Sequence, residues 1–221
     1  MGEFSAITEQ SNGPGTWSLS GSYPSSETSP LNALVGVSCT SAIDCVAVGY
    51  TEYWTLPGPT LQAEPLIGTW DGSTWVIAPI AGALSGLSGV SCDGPSDCMA
   101  VGTTDHFGGG SGLIEHWDGS SWSVVSTPPL PVLNAVSCVS PSDCTAVGAG
   151  SEIARWNGVA WSVVSNPIPR RSTSSVLTGV SCTSTSNCLA VGDFVKNSTA
   201  QVNLAEHWNG TAWSIVHTPN R

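Results

Sequence analysis

Residues 34–49 read LVGVSCTSAIDCVAVG, and the chain repeats this phrase three more times: LSGVSCDGPSDCMAVG at 87–102, LNAVSCVSPSDCTAVG at 133–148 and LTGVSCTSTSNCLAVG at 177–192. A phrase recurring at a near-fixed interval marks a chain built from stacked copies of one supersecondary unit. Within each copy, LxxVSC is an apolar run of strand character, five polar turn-formers follow, and CxAVG returns, which predicts two antiparallel strands, a and b. All eight cysteines fall in these four contexts.

A second phrase closes each copy: WDGSTW (70–75), WDGSSW (117–122), WNGVAW (156–161) and WNGTAW (208–213). Asp-Gly or Asn-Gly between two Trp-bearing runs is a strong hairpin signal, because these residues tolerate the positive φ of a tight turn. It predicts strands c and d. A degenerate copy, EQSNGPGTWSL, spans residues 9–19, so the described pattern starts with the second half of a unit.

Four antiparallel strands in about 45 residues cannot bury a core alone and must stack face to face on their neighbours. A sandwich would not need a repeating sequence, and a solenoid turn is usually shorter. The expected fold is therefore an all-β propeller of four full blades (31–83, 84–131, 132–173 and 174–221) plus one half blade (5–30) within a single domain, 5–221. A five-bladed ring is favoured, with a four-bladed ring as the alternative.

The order LxxVSC, CxAVG, then a strand ending in Trp-Asp or Trp-Asn resembles the blade of WD-repeat propellers. The DGSSW hairpin at 118–122 is similar to the Asp-box of sialidases. The WD-repeat histidine dipeptide is missing, and the turn is one residue tighter than an Asp-box. These resemblances imply architecture, since propellers host unrelated functions.

Directly opposed residues of antiparallel strands lie at a separation that a disulfide accepts. The expected pairs are Cys39 with Cys45, Cys92 with Cys98, Cys138 with Cys144, and Cys182 with Cys188, each closing five residues. So short a loop contributes about 2 kcal/mol per bridge. Zinc ligands lie two to four residues apart and are joined by His, so no metal is expected, and no cofactor. Regular cysteine pairs indicate an oxidising compartment, extracellular or at the cell surface. The segment MGEFSAITEQ has neither a basic nor an apolar signal region; residues 1–4 are expected to be vector-derived, with any signal peptide removed.

Sixteen acidic residues against five Lys plus Arg give a net charge of −11, which excludes a phosphate-gathering surface and hence nucleic acid. No apolar run approaches the roughly 18 residues of a membrane span. The paired tryptophans recur in every copy and are expected to pack blade on blade, each burying on the order of 200 Å². Gly49, Gly102, Gly148 and Gly192 are expected at close-packing or bulge positions. Glu115-His116 and Glu206-His207 are replaced by Gly68-Thr69 and Ala154-Arg155 in the other copies, and are expected to face solvent.

The b–c connections vary between copies: YTEYWTLPGPTLQAEPLI (50–67), TTDHFGGGSGLI (103–114), AGSEIA (149–154) and DFVKNSTAQVNLA (193–205). Variation on one rim of a constant scaffold is what a binding face shows. The candidate ligand-binding residues there are Tyr50, Glu52, Tyr53, Trp54, Asp105, His106, Phe107, Asp193 and Phe194. Exposed aromatics beside acids suit sugar stacking as well as protein contact. Shape and aromatic content also resemble five-bladed lectin propellers of the tachylectin type, which implies a glycan partner.

The expected function is thus a secreted, lectin-like binding module. The alternatives are a protein-interaction scaffold of a larger surface protein, and a carbohydrate-active hydrolase or lyase. Catalysis is the least expected, because no inner strand carries a carboxylate. An oligomer formed by completing the half blade is a further expectation.

Overall fold

The computed structural model describes residues 7–11, 17–22, 31–55, 60–79 and 85–218. Residues 1–6, the turn 12–16 and the connection 23–30 of the expected half blade, and residues 56–59 of the first variable stretch lie outside them. Eighteen strands form four four-stranded antiparallel sheets and one two-stranded sheet among the described residues.

The two-stranded sheet pairs β1 (Ile7–Ser11) with β2 (Trp17–Ser22), with Ser11 opposite Trp17. Blade 1 contains β3 (Leu31–Ser41), β4 (Asp44–Thr55), β5 (Thr60–Trp70) and β6 (Trp75–Pro79). Blade 2 contains β7 (Gly86–Gly94), β8 (Asp97–Thr103), β9 (Gly112–Trp117) and β10 (Trp122–Val124). Blade 3 contains β11 (Leu133–Ser140), β12 (Asp143–Gly148), β13 (Ile153–Trp156) and β14 (Trp161–Val163). Blade 4 contains β15 (Ser172–Ser184), β16 (Asn187–Lys196), β17 (Ala200–Trp208) and β18 (Trp213–Ile215). Each blade runs a, b, c, d in chain order, and the a strands of successive blades lie against one another.

The two cysteines of each unit are direct cross-strand partners and form the four expected disulfides, one per blade. One turn along the same ladder a bulge recurs. Strand a skips a residue between Leu34 and Gly36, Leu87 and Gly89, Leu133 and Ala135, and Leu177 and Gly179. The partner opposite each leucine is the glycine that follows Ala-Val. A Cβ on Gly102 would lie 2.0 Å from the Gly86 carbonyl oxygen, and one on Gly148 would lie 2.1 Å from that of Val132. The backbones therefore meet where only glycine fits.

The Asx-Gly turns are held by their own side chains. Asp118 Oδ1 accepts from the Ser120 and Ser121 amides at 2.8 and 2.9 Å, and Asn157 Oδ1 from Val159 and Ala160, both at 2.9 Å. The following glycines take φ near +90°. The first tryptophan of each pair is tied to the cysteine hairpin of its own blade. Indole Nε1–H donates to the carbonyl of Ala42 from Trp70, of Pro95 from Trp117, of Pro141 from Trp156 and of Thr185 from Trp208, all at 3.0–3.2 Å. Its partner on strand d lies 5.7–5.9 Å away between ring centroids. The two constant hairpins of a unit are thereby joined on one rim.

Apolar cores lie between blades. Val46, Val48 and Ile67 of blade 1 pack on Leu87, Val90, Ala100 and Leu113 of blade 2. Met99, Val101 and Ile114 repeat this against Leu133, Val136, Ala146 and Ala154. Val147 and Ile153 do the same against Leu177, Ala190 and Leu204. Each blade thus has a back face toward the next blade and a front face toward the previous one, set by strict alternation along b and c.

Gly102→Ala should destabilise the protein by about 3 kcal/mol, since backbone rather than a flexible side chain must yield. Ser88→Ala, on the bulge beside it, should change stability by less than about 1 kcal/mol. Urea denaturation of the two variants checks this ordering.

Candidate functional site

The variable segments differ from the expected loops. In blade 1 strands β4 and β5 stay paired from Cys45 opposite Trp70 out to Thr55 opposite Thr60, and in blade 4 β16 and β17 stay paired to Lys196 opposite Ala200. These stretches are long two-stranded extensions of the blade. Among the described residues only blade 2 carries a long loop there, residues 104–111, and blade 3 makes a short turn.

Alternation continues along the blade 1 extension. Tyr50, Glu52 and Trp54 share the back face with Val46 and Val48, and so point to the blade 2 side, while Tyr53 lies on the other face. From blade 2, His106 closes on this ridge. Its ring centroid is 3.9 Å from that of Tyr50, and Nε2 is 3.0 Å from Glu52 Oε1. Phe107 meets His106 edge-on at 5.6 Å. Gly86 leaves room for this contact, since a Cβ there would be 2.8 Å from His106 Nδ1. Trp54 and Phe107 remain 57% and 45% exposed.

Asp105 and Tyr53 are engaged within the protein. Asp105 Oδ1 accepts the Phe107 amide at 3.0 Å, and the Asp105 amide donates to Thr103 Oγ1 at 3.2 Å. Asp105 thus shapes the loop that presents His106 and Phe107. Tyr53 donates its hydroxyl to Glu64 at 2.6 Å, and this bond, with burial, raises its pKa.

Asp193 and Phe194 belong to a different blade and to opposite faces of it. Asp193 lines a groove on the back of blade 4, whereas Phe194 packs on the core between blades 3 and 4. The structure therefore brings Tyr50, Glu52, His106 and Phe107 into contact, sets Trp54 further out on the same face of β4, and leaves Asp193 and Phe194 apart from them. Glu52, Asp105, Glu152 and Asp193, the carboxylates that the equivalent b–c connections offer for hydrolysis, sit on four separate blades. Among the described residues no group of three or more His, Cys, Asp or Glu is placed to hold a metal ion.

Glu115 and Glu206 correct the expectation of solvent-facing positions: both are fully buried, on the front faces of blades 2 and 4. Glu206 accepts two bonds from Asn166 Nδ2, at 2.9 and 3.1 Å. Burial raises its pKa, and the Asn166 amide opposes that rise. Glu115 Oε2 has no partner among the described residues, and burial pushes this carboxyl up to about 7. The neighbours His116 and His207 point the other way, to Asp97 and Asn187. The corresponding Arg155 bonds Asp143 at 2.7 and 2.8 Å and lies 4.7 Å over the Trp208 ring of the next blade.

A carboxyl whose pKa is higher folded than unfolded favours folding when protonated. Its contribution is intact below about pH 4.5 and is lost as pH rises toward 7, costing about 3 kcal/mol at alkaline pH. Glu115→Gln should therefore match the parent near pH 4 and exceed it in stability by about that amount at pH 8. Chemical denaturation at both pH values checks the difference.

Neither a protein-family model nor a curated protein sequence matches the chain. Solved structures do. The WD40 repeats of RRP9 superpose with a TM-score of 0.52 at 8% identity, over 84% of this chain and 66% of that one. YCF48, described as bound to a D1 peptide, gives a TM-score of 0.40 at 12% identity over 82% and 80%. The chain thus spans just under two thirds of the RRP9 repeats. With its four stapled four-stranded sheets, it is a β-propeller repeat protein.

Proposed function

We propose that the chain is a non-catalytic binding module that takes a protein surface on the rim between blades 1 and 2. One observation carries this reading. Trp54 and Phe107 stand exposed near a closed Tyr50–His106–Glu52 cluster, Trp54 on the same face of β4 as Tyr50 and Glu52 and Phe107 edge-on to His106, while Asp105 and Tyr53 are already bonded within the protein. Aromatic anchors on a pre-organised base suit a protein contact, in which apolar area contributes most. A sugar demands convergent free donors and acceptors. The four disulfides support an oxidising, extracellular or cell-surface setting.

A glycan is the second reading. It is favoured by the two exposed ring faces, each able to stack on a sugar, and by Glu52, which engages His106 through Oε1. In this reading the module is lectin-like.

A glycan array and affinity capture from extracellular extracts, each run with the parent and the Trp54→Ala/Phe107→Ala pair, separate the two. The proposal expects a blank array and a captured protein whose affinity falls at least about 30-fold in the double variant. An array signal abolished by the same variant would establish the lectin reading. Capture unaffected by both substitutions would remove this rim from consideration.

A further inference from the structure

The three junctions between the four-stranded blades share one chemistry, and blades 1 and 4 carry its unmatched halves. At each junction the serine of VSC in one blade accepts the amide of the first cysteine in the next. Cys92 N–H donates to Ser38 Oγ at 3.0 Å, Cys138 N–H to Ser91 Oγ at 2.9 Å and Cys182 N–H to Ser137 Oγ at 3.0 Å. The a strands also approach closely: a Cβ on Gly36 would lie 3.0 Å from Gly89 Cα, and one on Gly89 would lie 3.1 Å from Ala135 Cα. At Gly179, the same position in blade 4, an added Cβ would meet only Val191 Cγ2 of its own blade within 4 Å among the described residues beyond its chain neighbours.

The back face of blade 4 is open. Val191 is 45% exposed, whereas Val48, Val101 and Val147, its counterparts in the other blades, are 0% exposed. Leu189 beside it is likewise exposed. A groove of ≈ 420 Å³ runs across this face, lined by Thr178, Val191, Asp193, Gln201 and Ala205 among others. On the front face of blade 1, Val37 is 63% exposed, against 8% for Val90 and for Val136. Cys39 is exposed there, while Cys92, Cys138 and Cys182 are half-buried. Ser181, which stands where Ser38, Ser91 and Ser137 stand, is exposed as well.

We propose that these two faces bind each other between copies: the back of blade 4 in one molecule docks on the front of blade 1 in a second. The contact continues the internal stack, with Leu189 and Val191 meeting Val37 and Leu34, and Ser181 Oγ receiving the Cys39 amide. Because the faces differ, the contact is head to tail and each molecule keeps one free face after the first association. The net charge of −11 opposes approach of two copies, so association strengthens with salt that screens it.

Sedimentation over a concentration series at moderate salt tests this, with Leu189→Asp/Val191→Asp at one end and Val37→Asp at the other. All three positions are exposed in the single chain, and circular dichroism verifies that the variants remain folded. The parent should associate reversibly. Each variant alone should be monomeric, and an equimolar mixture should form a dimer and nothing larger, because one intact face of each kind remains. A second readout is the Cys39 amide, whose exchange should slow with concentration in the parent and not in Ser181→Ala. A parent that stays monomeric throughout, a variant that associates like the parent, or a mixture that remains monomeric would each overturn the proposal.

Discussion

The serine-to-cysteine-amide bond between neighbouring a strands is the contact on which the stack depends. Strand a is the edge of its sheet, so half of its amides have no partner in the ladder, and an unpaired buried amide costs about 1–3 kcal/mol. The Ser Oγ of the preceding blade satisfies one of them in each of the three junctions. For that bond to reach, two edge strands must approach until a Cβ on one would press on the Cα of the other, which explains the Gly or Ala at positions 36, 89 and 135. The residue after each serine is the cysteine, and its cross-strand disulfide fixes the edge it anchors.

The other constant parts of the unit serve the same end. The c–d hairpin, turned by an Asx side chain and a positive-φ glycine, places the first indole where its N–H reaches the carbonyl of the cysteine turn. The b–c connection takes no part in these bonds, so its length and composition are free to vary. Blade 1 uses that freedom to extend its ladder and display Tyr50, Glu52 and Trp54, and blade 2 uses it for the loop bearing His106 and Phe107. The binding surface proposed above is therefore a by-product of a rigid rim opposite a permissive one.

Much of this was legible in the residues. The Asn-Gly and Asp-Gly turns, the cysteine pairing and the glycine after Ala-Val each depend on local chemistry, and each stands where the sequence predicts it. What escaped reading depends on which face of a strand meets which neighbour. Glu115 and Glu206 alternate with Gly68 and Ala154, a pattern that reads as tolerance of any residue and hence as solvent, whereas the position faces the previous blade. The extensions of blades 1 and 4 read as loops because Pro, Gly, Ser and Asn interrupt them, yet pairing carries through. The bonding serines were hidden by the abundance of Ser in the chain. Asp193 and Phe194 share a segment type with Tyr50 and Glu52, and sequence equivalence between blades carries no information on distance across them.

Amide hydrogen exchange, resolved at single residues, tests the central contact most directly. The amides of Cys92, Cys138 and Cys182 should be protected to the level of the inner ladder, and Ser91→Ala should release Cys138 while leaving Cys92 and Cys182 slow. Fast exchange at all three cysteines in the parent, or a Ser91→Ala variant that leaves Cys138 as protected as before, would contradict the account.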